Sequence, residues 1–375
     1  MTVLELAGAR ARHLSDVRRF DLILAAAVTL LCVAGLGSVS IATAGHLQFG
    51  APHVLRQGIA LVMGAAIATV LAAVDYRRIA LAAPLLYGLS LALLTAVLVA
   101  GPAINGARAW LIVGPVRFQP SELAKVAVIV LLASLTHERR EPALSTRGIL
   151  EVLGAAALPM ALILAQPDFG TFLVFGALVC VLLLVAGAHL RHLLALAALG
   201  SVALGLAWQL DLVEDYQIER LATFLDAEAT DPQGAGYNTA QAQIAVGAGG
   251  LMGQGWMGGE QTGLGFVPEH HTDFIFTVIA ERTGFVGAGV VLLLYATVLW
   301  RGLRIAANAR DILGSLLAAG AVATIGVQVF ISIGMTIGLV PVIGLPLPFV
   351  SYGGTSMIAS LAMIGLLQSV HRSSR

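Results

Sequence analysis

Apolar runs, each about as long as a bilayer is thick, alternate with short polar breaks along almost the whole chain. A helix rises about 1.5 Å per residue, so crossing roughly 30 Å of hydrocarbon takes about 20 residues. Ten runs meet or approach that length, near residues 21–43, 54–74, 79–100, 120–136, 149–165, 169–187, 191–209, 272–297, 312–338 and 355–370. The fifth, sixth and tenth are the shortest. Ten-residue segments of alternating polarity do not occur. Unpaired backbone is costly in lipid, so the pattern predicts an all-α polytopic membrane protein of about ten transmembrane helices, built as a single membrane domain.

Composition agrees, with 58% hydrophobic residues, 11% charged residues and a mean hydropathy of +0.90, far outside the soluble globular range. Charge adds direction, because Lys and Arg resist translocation. With the N-terminus inside, 15 of the 21 basic residues fall on cytoplasmic segments, among them Arg18, Arg19, Arg77, Arg78, Arg301 and Arg304. Both termini are therefore expected in the cytoplasm, with residues 1–20 lying along the inner interface. Arg56, Arg108, Arg117, Lys125, Arg220 and Arg282 fall in outer loops or inside spans and call for another reason. Ala42-Thr43-Ala44 looks like a cleavage site, but the apolar run before it exceeds a signal-peptide core of about 7–15 residues. Cys32 and Cys180 sit in apolar spans and read as small core residues.

The breaks are not all alike. Residues 210–271 form one large outer loop with nine acids against the single Arg220, a surface that repels nucleic acid. Its second half, "GAGYNTAQAQIAVGAGGLMGQGWMGG", is rich in Gly and Gln and reads as a partly re-entrant loop on the outer face. Two further stretches, "QPDFG" (166–170) and "GLVPVIGLPLPFVSYGG" (338–354), interrupt apolar runs with Pro and Gly. Irregular backbone at membrane depth is tolerated where it lines a cavity.

Chemistry gathers at these outer breaks. In "PEHHTDFIF" (268–276), Glu269, His271 and Asp273 enter the eighth span, and at 3.6 residues per turn Asp273, Thr277, Ala280, Glu281 and Gly284 share one side. Such a stripe should face the bundle interior, and an acid there is a functional candidate. Glu281 beside Arg282 reads as a structural ion pair. In "ARAWLIVGPVRFQPSELAK" (107–125), Arg108, Trp110 and Arg117 precede Glu122 and Lys125, which share a helix face at i,i+3. The pair can serve an anion site at a helix N-terminus or tie two helices together.

An outer cavity with a carboxylate, nearby cations and a flank open to lipid suits a lipid-linked diphosphate sugar. The substrate brings its own leaving group, and one base can deprotonate an acceptor hydroxyl while cations or a divalent ion (Mg or Mn) stabilise the departing diphosphate. A single displacement inverts the anomeric carbon and needs no second carboxylate.

These stretches also resemble the SEDS family (shape, elongation, division and sporulation), most closely its rod-shape branch. "GARAWL", "RFQPSELAK", "QPDFGT", "GYNTAQAQIAVGAGGLMGQGW", "FVPEHHTDFIFTVIAE" and "GLPLPFVSYGG" occur in family order over nearly the whole chain. The resemblance implies a peptidoglycan glycosyltransferase polymerising lipid II on the outer face of the cytoplasmic membrane, with Asp273 as the catalytic acid of the His-Thr-Asp-Phe motif. It places Glu122 and Lys125 as the charged pair of the fourth span, and Arg108 and Trp110 near the substrate cavity. Arg117, Glu269, His271 and Ser351 complete the expected substrate-binding set. It implies as partners lipid II and the growing lipid-linked strand, a class B penicillin-binding protein that crosslinks the strands, and the MreB, MreC and MreD machinery. The chain departs from the family pattern at Ser332, Arg282 and His270. A division-type polymerase of the same chemistry, a lipid II flippase and a non-catalytic scaffold for a transpeptidase are the alternatives.

Overall fold

The computed structural model describes residues 20–44, 50–104, 106–114, 116–139, 144–209, 220, 222, 224, 235–256 and 258–374. Every predicted apolar run is helical. Helices α1 (Leu22–Ala44), α2 (Gly50–Ala73), α3 (Tyr76–Leu81) and α4 (Ala83–Ala100) come first. They are followed by α5 (Pro120–Glu138), α6 (Thr146–Ala165), α7 (Phe169–Val185) and α8 (Leu190–Gln209). Then come α9 (Ala235–Ala248), α10 (Glu260–Gly263), α11 (Ile275–Ala307), α12 (Ile312–Thr336) and α13 (Gly354–Ser374). Seven of these, α1, α2, α4, α5, α6, α11 and α12, are long and apolar enough to cross a membrane, while α7 and the Leu190–Val202 part of α8 are apolar but shorter. This is a multi-pass helical membrane protein.

The centre of the bundle is α12, whose small residues let its neighbours close in. A Cβ on Gly320 would stand 3.0 Å from Ile129 of α5 and 3.3 Å from Leu178 of α7, which is how membrane helices pack without a hydrophobic drive between them. α13 is similarly enclosed, with residues from Thr355 to Val370 mostly buried, and a Cβ on Gly365 would meet the Ala68 carbonyl of α2 at 2.7 Å. By contrast α8 exposes Leu190, Leu194, Leu199, Val202 and Leu206. Opposite the end that carries the loops, Asp21 before α1 pairs with Arg301 of α11, and Arg77 pairs with Asp311 at 2.7 Å.

Several expectations are corrected. A short hairpin departs from the all-helical picture: β1 (Leu111–Val113) pairs antiparallel with β2 (Val116–Phe118), Ile112 opposite Arg117. The fifth run is a full 20-residue helix, α6. The eighth runs past 297 to Ala307 and is broken at Gly284, whose φ of 67° and ψ of −165° only glycine adopts readily. The second half of the large loop opens with the 14-residue helix α9, which the sequence reading did not foresee. Cys32 is buried, but Cys180 is exposed on the outside of α7. The readings for residues 1–19 and for the seven acids between 211 and 231 lie outside the described residues.

Candidate active site

Asp273 does not lie on α11. The helix starts at Ile275, and Asp273 stands in the turn before it, held by Thr272 N–H and Phe274 N–H donating to the Glu269 carbonyl. Thr277, Ala280, Glu281 and Gly284 are buried, so that part of the stripe does face the interior.

Three elements fasten this turn. Ser351 Oγ donates to the Thr272 carbonyl at 2.6 Å, and Tyr352 N–H donates to the His271 carbonyl at 3.0 Å. Segment 351–353 is fixed in turn by Gln57 of α2, whose amide donates to the Ser351 carbonyl and accepts from Gly353 N–H. His270 is buried with its ring nitrogens 2.7 Å from the Val267 carbonyl and 2.9 Å from the Ala42 carbonyl at the end of α1. Left-handed backbone at Glu269 (φ 50°) and Phe349 (φ 68°) flanks the site, where such costly conformations tend to gather.

What this framework presents is a half-buried carboxylate. Among the described residues no donor lies within hydrogen-bond distance of Asp273, and its Oδ2 packs where a Cβ on Gly344 (φ 74°) would come within 3.2 Å. Burial pushes its carboxyl up to about 7; neighbouring Glu269 and, more weakly, Asp168 push the same way, while Arg220 opposes them. A carboxylate poised there suits general-base work near neutral pH.

The sequence-predicted residues divide into three groups. Glu269 is exposed and takes a hydrogen bond from Thr272 Oγ1, and His271 is half-buried against the rings of His53 and Tyr352, with centroids 5.6 and 5.9 Å away. Arg108 and Arg117 are exposed and Trp110 half-exposed; Arg108 N–H ties its loop to the Gln166 carbonyl. Glu122, Lys125 and Ser351 are buried. Lys125 Nζ lies 2.8 Å from Glu122 Oε1, both side chains at most 1% exposed, so Lys125 does not reach a diphosphate, contrary to expectation. Ser351 Oγ is used inside the protein, accepting also from Leu347 N–H. The expected Glu281–Arg282 pair is separate as well. Glu281 caps α10 through Gln261 N–H and Thr262 N–H, whereas Arg282 donates to the Trp256 and Gly259 carbonyls.

Sequence reasoning missed Arg220 and Asp168. Arg220 is the cation that acts on Asp273, and its guanidinium donates to the Val342 carbonyl at 3.4 Å. Its signal was being the one base in an acidic segment. Asp168 caps α7 through Thr171 and takes a hydrogen bond from Gln119, which joins the QPDFG turn to the start of α5. Among the described residues no three acid, imidazole or thiol side chains converge to hold a metal ion.

Fold and site together define a polytopic membrane protein with a half-buried carboxylate set at one mouth of its helix bundle. The chain belongs to the FtsW, RodA and SpoVE family of cell cycle proteins, whose family model matches residues 18–375. It is 41% identical over 312 residues to the peptidoglycan glycosyltransferase MrdB of Escherichia coli (strain K12), covering 83% of each chain. Two solved structures are similar. One is a chain of a peptidoglycan synthase complex that coordinates polymerization and crosslinking (TM-score 0.80, 34% identity, 95% of this chain and 98% of that one). The other is the rod shape determining protein RodA of Thermus thermophilus (TM-score 0.70, 33% identity, 94% and 97%).

Proposed function

We propose that this chain is a peptidoglycan glycosyltransferase of the RodA type, polymerising lipid II on the outer face of the bacterial cytoplasmic membrane, with both termini in the cytoplasm. The observation that carries the residue-level reading is Asp273, a half-buried carboxylate at the mouth with no donor to satisfy it among the described residues and a carboxyl pushed up to about 7 by burial. The acceptor's 4-hydroxyl oxygen attacks the anomeric carbon of the donor strand, and Asp273 takes the hydroxyl proton. The bond to undecaprenyl diphosphate breaks with its electron pair leaving on the diphosphate, which inverts the carbon.

In this reading Arg108 and Arg117, both exposed, neutralise that diphosphate, and the half-exposed Trp110 offers an apolar face. Lys125 drops out of this role because it is sealed in its pair with Glu122. Glu269 raises the basicity of Asp273, and Arg220 tempers it. A class B penicillin-binding protein is the crosslinking partner, supported by the likeness to a complex that couples polymerization with crosslinking, and MreB, MreC and MreD belong to the same elongation assembly.

The test is glycan-strand formation from purified lipid II in the presence of the matching transpeptidase. Wild-type protein yields polymer and folded Asp273→Asn does not. Polymer at the wild-type rate from Asp273→Asn would remove Asp273 from the mechanism.

A further inference from the structure

Residues 249–256 direct much of their backbone hydrogen bonding into the protein, although their sequence position is that of a loop. At the Gly284 break α11 cannot complete its own hydrogen bonds, and this segment completes them. Gln254 N–H donates to the Glu281 carbonyl at 2.9 Å and Gly255 N–H to the Arg282 carbonyl at 3.0 Å. In return Phe285 N–H donates to the Gly250 carbonyl at 2.8 Å and Val286 N–H to the Leu251 carbonyl at 3.2 Å. Gly253 N–H is used within the segment, and the Trp256 carbonyl accepts from Arg282. Even the exposed Gln254 spends its amide internally, on the Ala248 carbonyl and Gly259 N–H. Water would require none of this pairing, whereas hydrocarbon favours each bond of it, because an unpaired backbone group there is costly.

The side chains agree. Leu251 is 72% exposed, Met252 80% and Trp256 62%, and no charged residue occurs in the segment. Directly along α11 the apolar surface continues with Phe285, 73% exposed, and Val286.

Depth can be measured along two helices from the Asp21–Arg301 ion pair, which marks the opposite interface. The Trp256 ring packs on Gly37 of α1, 16 residues from Asp21, and the segment pairs with α11 at Gly284, 17 residues from Arg301. At 1.5 Å per residue both rulers give about 25 Å, inside a hydrocarbon core of roughly 30 Å. A Trp at that level is where aromatic side chains collect near a membrane boundary.

We propose that residues 249–256 are seated in the site-side leaflet of the membrane, with Leu251, Met252 and Trp256 among the lipid acyl chains. The segment takes the place of lipid around the outer turns of α11, where residues 275–282 are all buried, and so walls the helix that follows Asp273. The full-length protein in phospholipid vesicles, with exposed Cys180 replaced by Ala, is spin-labelled singly at positions 251, 252, 269 and 285. Labels at 251 and 252 should behave as the label at 285 does, colliding more with oxygen than with an aqueous nickel chelate, and the label at Glu269 should show the reverse. Labels at 251 and 252 that follow 269 would overturn the proposal. Should the cysteine variants fail to fold, quenching of unlabelled protein by brominated lipid decides. Because Trp300 on α11 is also exposed, the readout is the difference: quenching that falls in Trp256→Phe supports the seat, and quenching unchanged by that substitution overturns it.

Discussion

Asp273 and Glu122 are both acids removed from bulk water at the same end of the bundle, yet they are held in opposite ways. Glu122 is sealed, and its charge is answered by Lys125 2.8 Å away on the same helix. Asp273 is half open, answered only at a distance by Arg220 and crowded by Glu269. Breaking a buried pair leaves an uncompensated charge, so the first arrangement holds structure together. The second stores an unfavourable charge in a place a substrate can reach, and that is the condition for chemistry.

The largest effect should come from Asp273→Asn. Removing a general base lowers the rate about 10²–10⁴-fold, read as glycan strand formed from lipid II. Stability should not fall. A carboxyl whose folded pKa lies above its unfolded value favours the protonated form in the fold, so its contribution is present below the usual carboxylate range and is lost as pH rises toward 7. Asn removes that loss, and the melting temperature at pH 8 should equal or exceed wild type. A variant that is both inactive and unfolded would make Asp273 resemble Glu122 and break the comparison.

Glu122→Gln or Lys125→Met should behave in the other way, costing about 3–5 kcal/mol of stability as one buried partner loses the other. Glu122→Leu combined with Lys125→Met should recover most of that loss, since two apolar residues leave no charge behind. Thermal unfolding in detergent checks both. Full stability in the single variants, with activity abolished, would move the pair from scaffold to chemistry.

Gly284→Ala should come next, at about 1–3 kcal/mol, because the backbone there is one that side chains rarely adopt. The added Cβ would also stand 2.3 Å from the Gly253 nitrogen and push residues 249–256 off the break in α11. Increased protease cleavage within that segment, together with reduced strand synthesis, would mark the separation.

Much of this was legible in the chain, for reasons that differ by residue. The helices follow from apolar runs of bilayer length, and Glu122 with Lys125 from a three-residue spacing that survives any packing. Asp273 was found through its neighbours in sequence, but its place before α11 was not, because the apolar run was started three residues too early. The hairpin at 111–118 is too short to give a period. Ser351 was read as facing substrate because polar residues beside paired glycines usually line a cavity, whereas its hydroxyl is spent on Thr272. Arg220 acts on Asp273 across about fifty residues and Asp168 across about a hundred, distances that no spacing rule spans. Glu281 and Arg282 look like an ion pair as neighbours, but adjacent side chains on a helix point apart, and each found a different part of the same loop.

The smallest effect sharpens the Asp273 side of the comparison. If Asp273 is the base, only its ionised form works, so activity should be lost as pH falls, with the midpoint of the acid limb near 7. Glu269 raises that value by repulsion, so Glu269→Gln should move the limb to lower pH and leave more activity at pH 6. Arg220 lowers it, so Arg220→Gln should move the limb to higher pH. Asp168→Asn acts in the same sense as Glu269→Gln but more weakly, being the last of the three influences. The plateau rate at high pH should change little for Glu269→Gln, since the base stays in place and only its proton affinity shifts. Initial rates of strand synthesis from pH 5.5 to 9 on the two single variants decide the matter. Limbs that move in opposite directions tie the titrating group to Asp273, and limbs that coincide with wild type place the titration elsewhere.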